Sequence, residues 1–144
     1  MKKLIILLIA FIVVFATPAV ATETLHSHQY EYAQSKSASI TFANKSGYTL
    51  TLKIIGIYGG LYQTVVLGPK SSKVVYFGST ATYKLKIKAE KYGQVSYHKG
   101  GNFSVTCNNY EWTEGEMSFQ MSTYGSGLGP SISASEFNSN NKTT

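Results

Sequence analysis

The clearest pattern along the chain lies at residues 83–89, where Tyr83, Leu85, Ile87 and Ala89 alternate with Lys84, Lys86 and Lys88. Successive side chains of a strand point to opposite faces, so a period of two predicts one core face and one lysine face turned to water. Leu50, Leu52 and Ile54 alternate with Thr49, Thr51 and Lys53 in the same way, and Ile40 and Phe42 flank Thr41. Met117, Phe119 and Met121 repeat the period within residues 116–123. Val74-Val75-Tyr76-Phe77 has no polar partner positions and reads as a short strand buried on both faces. Residues 94–98 and 103–107 are expected as strands around a turn at Lys99-Gly100-Gly101-Asn102, and residues 28–32 are a candidate edge strand.

Turn chemistry separates these runs. Asn44-Lys45-Ser46-Gly47, Gly68-Pro69-Lys70-Ser71-Ser72 and Gly78-Ser79-Thr80 are rich in residues that form turns. Gly59-Gly60 suits a two-residue hairpin loop, in which both central residues need positive φ. That loop would pair Tyr58 with Leu61, Ile54 with Val65 and Leu52 with Leu67, setting aliphatic against aliphatic. No amphipathic helix is evident. Ser133 and Glu136 have capping-box spacing, but no apolar run follows, so a helix there is one turn long.

Many short strands punctuated by turns predict an all-β domain, an antiparallel β-sandwich with a barrel as the alternative. The strand rhythm resembles an immunoglobulin-like or fibronectin-like sandwich. The likeness is one of architecture, since a chain with one Cys lacks the Cys-Trp-Cys framework of true immunoglobulin domains.

The two ends differ from this middle. Lys2 and Lys3 precede an apolar run over residues 4–15, and Ala19-Val20-Ala21 follows. Charged, apolar and small-residue regions in that order make residues 1–21 a secretory signal cleaved before Thr22. Residues 22–36 then form an N-terminal segment holding the candidate edge strand, residues 37–124 the sandwich, and residues 125–144 a Gly/Ser/Asn-rich loop and flexible tail. Export places the domain in the periplasm, at the outer surface or in the medium, with no transmembrane segment after cleavage.

Charge narrows the partners. All basic residues are Lys and all acidic ones Glu, and removing Lys2 and Lys3 lowers the net charge from +6 to +4. This is far from a dense basic stripe, and Arg, the preferred bidentate reader of guanine and phosphate, is absent, which argues against nucleic acid. The single Cys107 cannot form an intrachain disulfide and is expected to be a small buried hydrophobe.

Four constellations carry candidate chemistry. His26 and His28 would share a strand face and could meet one metal ion, although a stable site wants three or four ligands and a frayed terminus is the plainer reading. Cys107 and His98 could form a nucleophilic pair, without any cysteine-protease signature around them. Lys84, Lys86 and Lys88 could meet an anionic glycan or lipid head group, or serve as an ordinary soluble face. The segment 108–116 joins the only Trp, Trp112, to Tyr110, Glu111, Glu114 and Glu116. Aromatics beside amides and carboxylates can stack on and hydrogen-bond a sugar; carboxylates can ligate Ca²⁺ or act as a glycosidase pair; or the segment is a plain hairpin connection.

No phosphate loop, metalloprotease or nucleophile-elbow motif appears, and no cofactor is implied. The expected function is a non-catalytic binding or structural module with carbohydrate or another cell-surface protein as partner. The alternatives are a small secreted hydrolase using glutamates near Trp112, and a subunit of a surface assembly joined through an edge strand.

Overall fold

The computed structural model describes residues 37–122 and 125–140. The expected signal segment, the candidate edge strand at 28–32, and His26 and His28 lie outside the described residues. The elements run β1 (Ala38–Asn44), β2 (Thr49–Gly56), β3 (Leu61–Leu67), β4 (Ser72–Phe77), β5 (Ala81–Lys91), β6 (Gln94–Val105), β7 (Glu114–Phe119), β8 (Met121–Ser122), β9 (Gly125–Ser126) and α1 (Ala134–Asn138). A three-stranded sheet ordered β4-β1-β7 packs on a four-stranded sheet ordered β3-β2-β5-β6, and no barrel closes. Pairing is antiparallel except between β1 and β7, which run parallel.

The alternating faces assigned from sequence meet in the core. Leu50, Leu52, Ile54, Leu85, Ile87 and Ala89 are buried on one inner face, and Ala38, Ile40, Phe42, Val75 and Phe77 on the other. An aromatic cluster joins the two sheets. Phe42 lies 5.9 Å from Phe103 and 6.2 Å from Phe119, and Phe77 lies 5.0 Å from Tyr83, all between ring centroids. Such offset and edge contacts add to the area each ring buries.

Four local expectations are corrected. The hairpin after β2 pairs Leu52 with Val65 and Leu50 with Leu67, two residues away from the expected register. The loop is longer than two residues because Gly59 N–H donates to Gly56 O at 2.9 Å and Gly56 N–H to Gly60 O at 3.0 Å, closing a turn one step earlier. A bulge at Tyr62 then lays its ring against Phe77 and Tyr83, 5.1 Å from each, at the still exposed edge of the sandwich. A slip of two preserves which face each side chain takes, so the core survived the error.

The two-residue hairpin occurs instead between β5 and β6, where Lys91 pairs with Gln94. Tyr92 (φ 51°) and Gly93 (φ 76°) supply the two positive φ angles that such a loop requires.

Second, residues 99–102 are not a turn. They lie inside β6, which bulges there, with Lys84 opposite Asn102 and Lys86 opposite Lys99. A Cβ on Gly100 would stand 2.7 Å from Leu85 Cβ, so the glycine admits close strand approach and does not reverse the chain. Third, β4 is an edge strand buried on one face only; Val74 and Tyr76 are exposed.

Fourth, residues 128–140 pack against the sandwich and are not an open loop. Leu128 and Phe137 are buried, Ile132 N–H donates to Tyr97 O at 2.9 Å, and Lys99 N–H donates to Pro130 O at 2.8 Å. The segment straps the outer face and free edge of the β3-β2-β5-β6 sheet. Its single helical turn, α1, is capped as the spacing predicted, with Ser133 Oγ accepting from Glu136 N–H at 3.1 Å.

Asn44 ties the β1 end to its neighbours. Buried at 1% exposure, it donates through Nδ2 to Tyr48 O, Leu67 O and Gly68 O and accepts through Oδ1 from Ser46 N–H and Oγ. A buried amide is tolerable because its donors and acceptor are all satisfied.

Candidate functional site

The 106–113 hairpin is built outward from the end of β6. Thr113 N–H donates to Thr106 O, and Thr106 N–H donates to Thr113 Oγ1, each at 2.8 Å. Cys107 and Trp112 form the next antiparallel bridge. The reversal is closed by Asn108, whose Oδ1 accepts from Tyr110 N–H and Glu111 N–H at 2.8 Å while its own N–H donates to Glu111 O at 2.9 Å. This is the local side-chain turn that Asn favours. Thr80 anchors the base, with its Oγ1 accepting from Cys107 N–H at 2.8 Å, and Ser39 N–H donates to Thr113 O at 2.8 Å.

Thr106, Tyr110, Glu111, Trp112 and Thr113 line a shallow, open depression. Tyr110 is 89% exposed and Trp112 37%, and the indole N–H donates to Glu114 Oε1 at 3.1 Å. Tyr110 sits in the turn and not on an extended strand, yet both rings border the same depression. Thr106 lies outside the 108–116 segment singled out from sequence; nothing distinguishes it from other threonines until its pairing with Thr113 brings it to the depression.

The carboxylates are held on the surface. Glu114 accepts from Trp112, while Glu116 accepts from Ser118 Oγ at 2.8 Å and lies 3.8 Å from Lys45 Nζ. Glycoside hydrolysis wants two carboxyls flanking the scissile bond across a cleft. A shallow depression at a hairpin tip does not provide that enclosure.

The lysine row is not brought to this site. It lies on β5, contributes no residue to the depression, and is not a uniform solvent face, because Lys86 is 1% exposed. Lys86 Nζ donates to Glu136 O at 2.5 Å and Ser139 O at 2.7 Å, closing the open carbonyls at the end of α1. Burial holds its ammonium below the usual lysine range, against the attraction of Glu136 and with the repulsion of Lys53. Lys84 and Lys88 are half-buried, and Lys88 pairs with Glu90 at 3.0 Å, a carboxylate that raises its affinity for a proton.

His98 and Cys107 do not meet. They are nine positions apart along an extended segment, about 30 Å at strand rise. His98 is buried under the strap, with Nδ1 3.1 Å from Gly129 O and Nε2 2.9 Å from Ser96 Oγ. Cys107 is half-buried against the core, less enclosed than expected. Among the described residues no group of three or more His, Cys, Asp or Glu could hold a metal ion, and no helix is long and apolar enough to cross a membrane. No family model, curated protein or solved structure matches the chain.

Proposed function

We propose that this domain is a non-catalytic binding module that recognises carbohydrate through the 106–116 hairpin, and that it works outside the cytoplasm. The observation that carries the reading is the pair of aromatic rings, Tyr110 and Trp112, held at solvent around one open depression by a hydrogen-bonded turn. A ring with an apolar face and a polar edge suits the mixed surface of a sugar. A preformed hairpin also lowers the ordering cost of binding.

A second reading, a subunit of a surface assembly, is favoured by the edge strands β3 and β4, which expose Leu61, Tyr62, Val66, Val74 and Tyr76. A glycan array followed by fluorescence titration of the sole Trp tests the first reading. Carbohydrate binding that disappears in folded Trp112→Ala is the expected result. Glycan binding that survives this substitution unchanged would make the hairpin a mere connection.

A further inference from the structure

The two outer faces of the sandwich differ. The β3-β2-β5-β6 face is strapped by residues 128–140, with Phe137 and Lys86 buried beneath or within the strap. The β4-β1-β7 face carries no such cover from the described residues: Tyr76 is 65% and Val74 49% exposed, and Glu114, Glu116 and Ser118 are exposed. Register places its outward groups in rows across the strands. Tyr76, Ser39 and Glu114 form one row, and Val74, Thr41 and Glu116 the next. Trp112 sits two residues before Glu114 and donates to it, so the indole continues this face from the hairpin.

We propose that the carbohydrate site extends from the hairpin across this sheet face, and that its ligand is a polysaccharide bearing free amines, of the glucosamine type. The inference rests on the carbohydrate reading of the hairpin and adds the remainder of the surface and the charge of the ligand. Two strand spacings and two residues of rise separate Tyr76 from Trp112 by about 12 Å, enough for a short run of linked pyranose rings. Between the two aromatics lie the hydroxyl of Ser39, which both donates and accepts, and the carboxylate of Glu114, with Thr41 and Glu116 one row beyond. A flat face of this kind receives a chain lying along it, not a sugar buried in a pocket.

Charge chooses among glycans. The chain is net positive, yet the hairpin and this face carry Glu111, Glu114 and Glu116, three of its seven acidic residues, with Lys45 beside Glu116. An anionic glycan would meet repulsion here, and the lysine row lies on the other sheet. A protonated amino sugar gains a charge-assisted hydrogen bond to Glu114 or Glu116 that its N-acetylated counterpart cannot make.

Calorimetric titration of the mature chain with glucosamine oligomers and with N-acetylglucosamine oligomers of equal length tests this. The amine form is expected to bind more tightly by about fivefold, the ordinary upper worth of one exposed ion pair, with the advantage shrinking as salt rises. The Glu114→Gln/Glu116→Gln variant should lose the preference and keep the weaker binding, Tyr76→Ala should weaken both ligands, and Trp112→Ala should abolish both. Equal binding of the two oligomers, or tighter binding of a sulfated glycan, overturns the amine assignment while leaving the carbohydrate reading intact. Trp112-dependent binding indifferent to Tyr76→Ala confines the site to the hairpin and overturns its extension. Binding of none of these probes, with a concentration-dependent dimer abolished by Tyr76→Ala, assigns the face to a second copy of the chain and overturns both. Circular dichroism of each variant separates lost binding from lost folding.

Discussion

Lys86 occupies an outward position in the alternation of β5, yet it donates to two main-chain oxygens beneath α1. Alternation assigns a direction to a side chain and is silent on what lies in that direction. Burial lowers the proton affinity of the ammonium, so the folded protein holds this proton less tightly than the unfolded chain, where lysine titrates near 10.5. Between the folded value and 10.5 the unfolded state binds more protons, and this group's contribution to stability rises with pH through that window. Tyr83 acts oppositely: burial, then Tyr62, raises it, so its contribution falls as pH climbs above 10.0. Urea unfolding of the protein and of Lys86→Met isolates the lysine, because Tyr83 is common to both. The difference in unfolding free energy is expected to shift in favour of the unsubstituted protein as pH rises toward 10.5. A shift the other way would mean that the ammonium is stabilised beneath α1 and not penalised by burial.

At the scale of elements, residues 99–102 show one residue type serving two geometries. A Gly-Gly pair flanked by polar residues satisfies the chemistry of a turn and of a bulge equally well. Cross-strand partners decide between them, and those are fixed by Tyr92-Gly93, which closes the hairpin seven residues before the start of the expected turn. Gly100→Ala would press a methyl group against Leu85 and is expected to cost about 1–3 kcal/mol, as overpacking does. A Cβ at Gly101 meets nothing within 4 Å, so Gly101→Ala should change stability by less than about 0.5 kcal/mol. Chemical denaturation of the two variants checks this, and equal costs would place the bulge elsewhere. The hairpin at 108–111 was legible by the same reasoning that failed at 99–102, because Asn108 supplies its own acceptor and needs no distant partner.

The whole molecule is a sandwich with one strapped outer face. Phe137 is the strap's apolar anchor, 5.2 Å from the Tyr97 ring and beneath Lys53 Nζ, also at 5.2 Å. The strap also reaches the β2–β3 loop, where Gly60 N–H donates to Asn140 O at 3.0 Å. Phe137→Ala is expected to cost about 3 kcal/mol, the lower end for a buried phenylalanine. Hydrogen exchange should quicken at the Lys99 and Ile132 amides, which donate to and from the strap, while β1 remains protected. Uniform acceleration across both sheets would mean that strap and sandwich open as one cooperative unit.

Period two, turn residues and the lack of any amphipathic helix determined the class of fold and the inner faces of β1, β2 and β5, because these properties depend on residues adjacent in the chain. The aromatic and acidic content of residues 108–116 marked the candidate site for the same reason: its turn is closed by local hydrogen bonds. Register, the bulge over Leu85 and the strap over Lys86 were decided only in three dimensions. Each depends on a contact between residues distant in sequence, such as Lys86 with Ser139 or Gly100 with Leu85, whose worth is realised only after the sheets have formed. Ser39, Tyr76 and Glu114 likewise share a row only because β1 pairs with β4 on one side and β7 on the other, joining three segments that no local pattern connects.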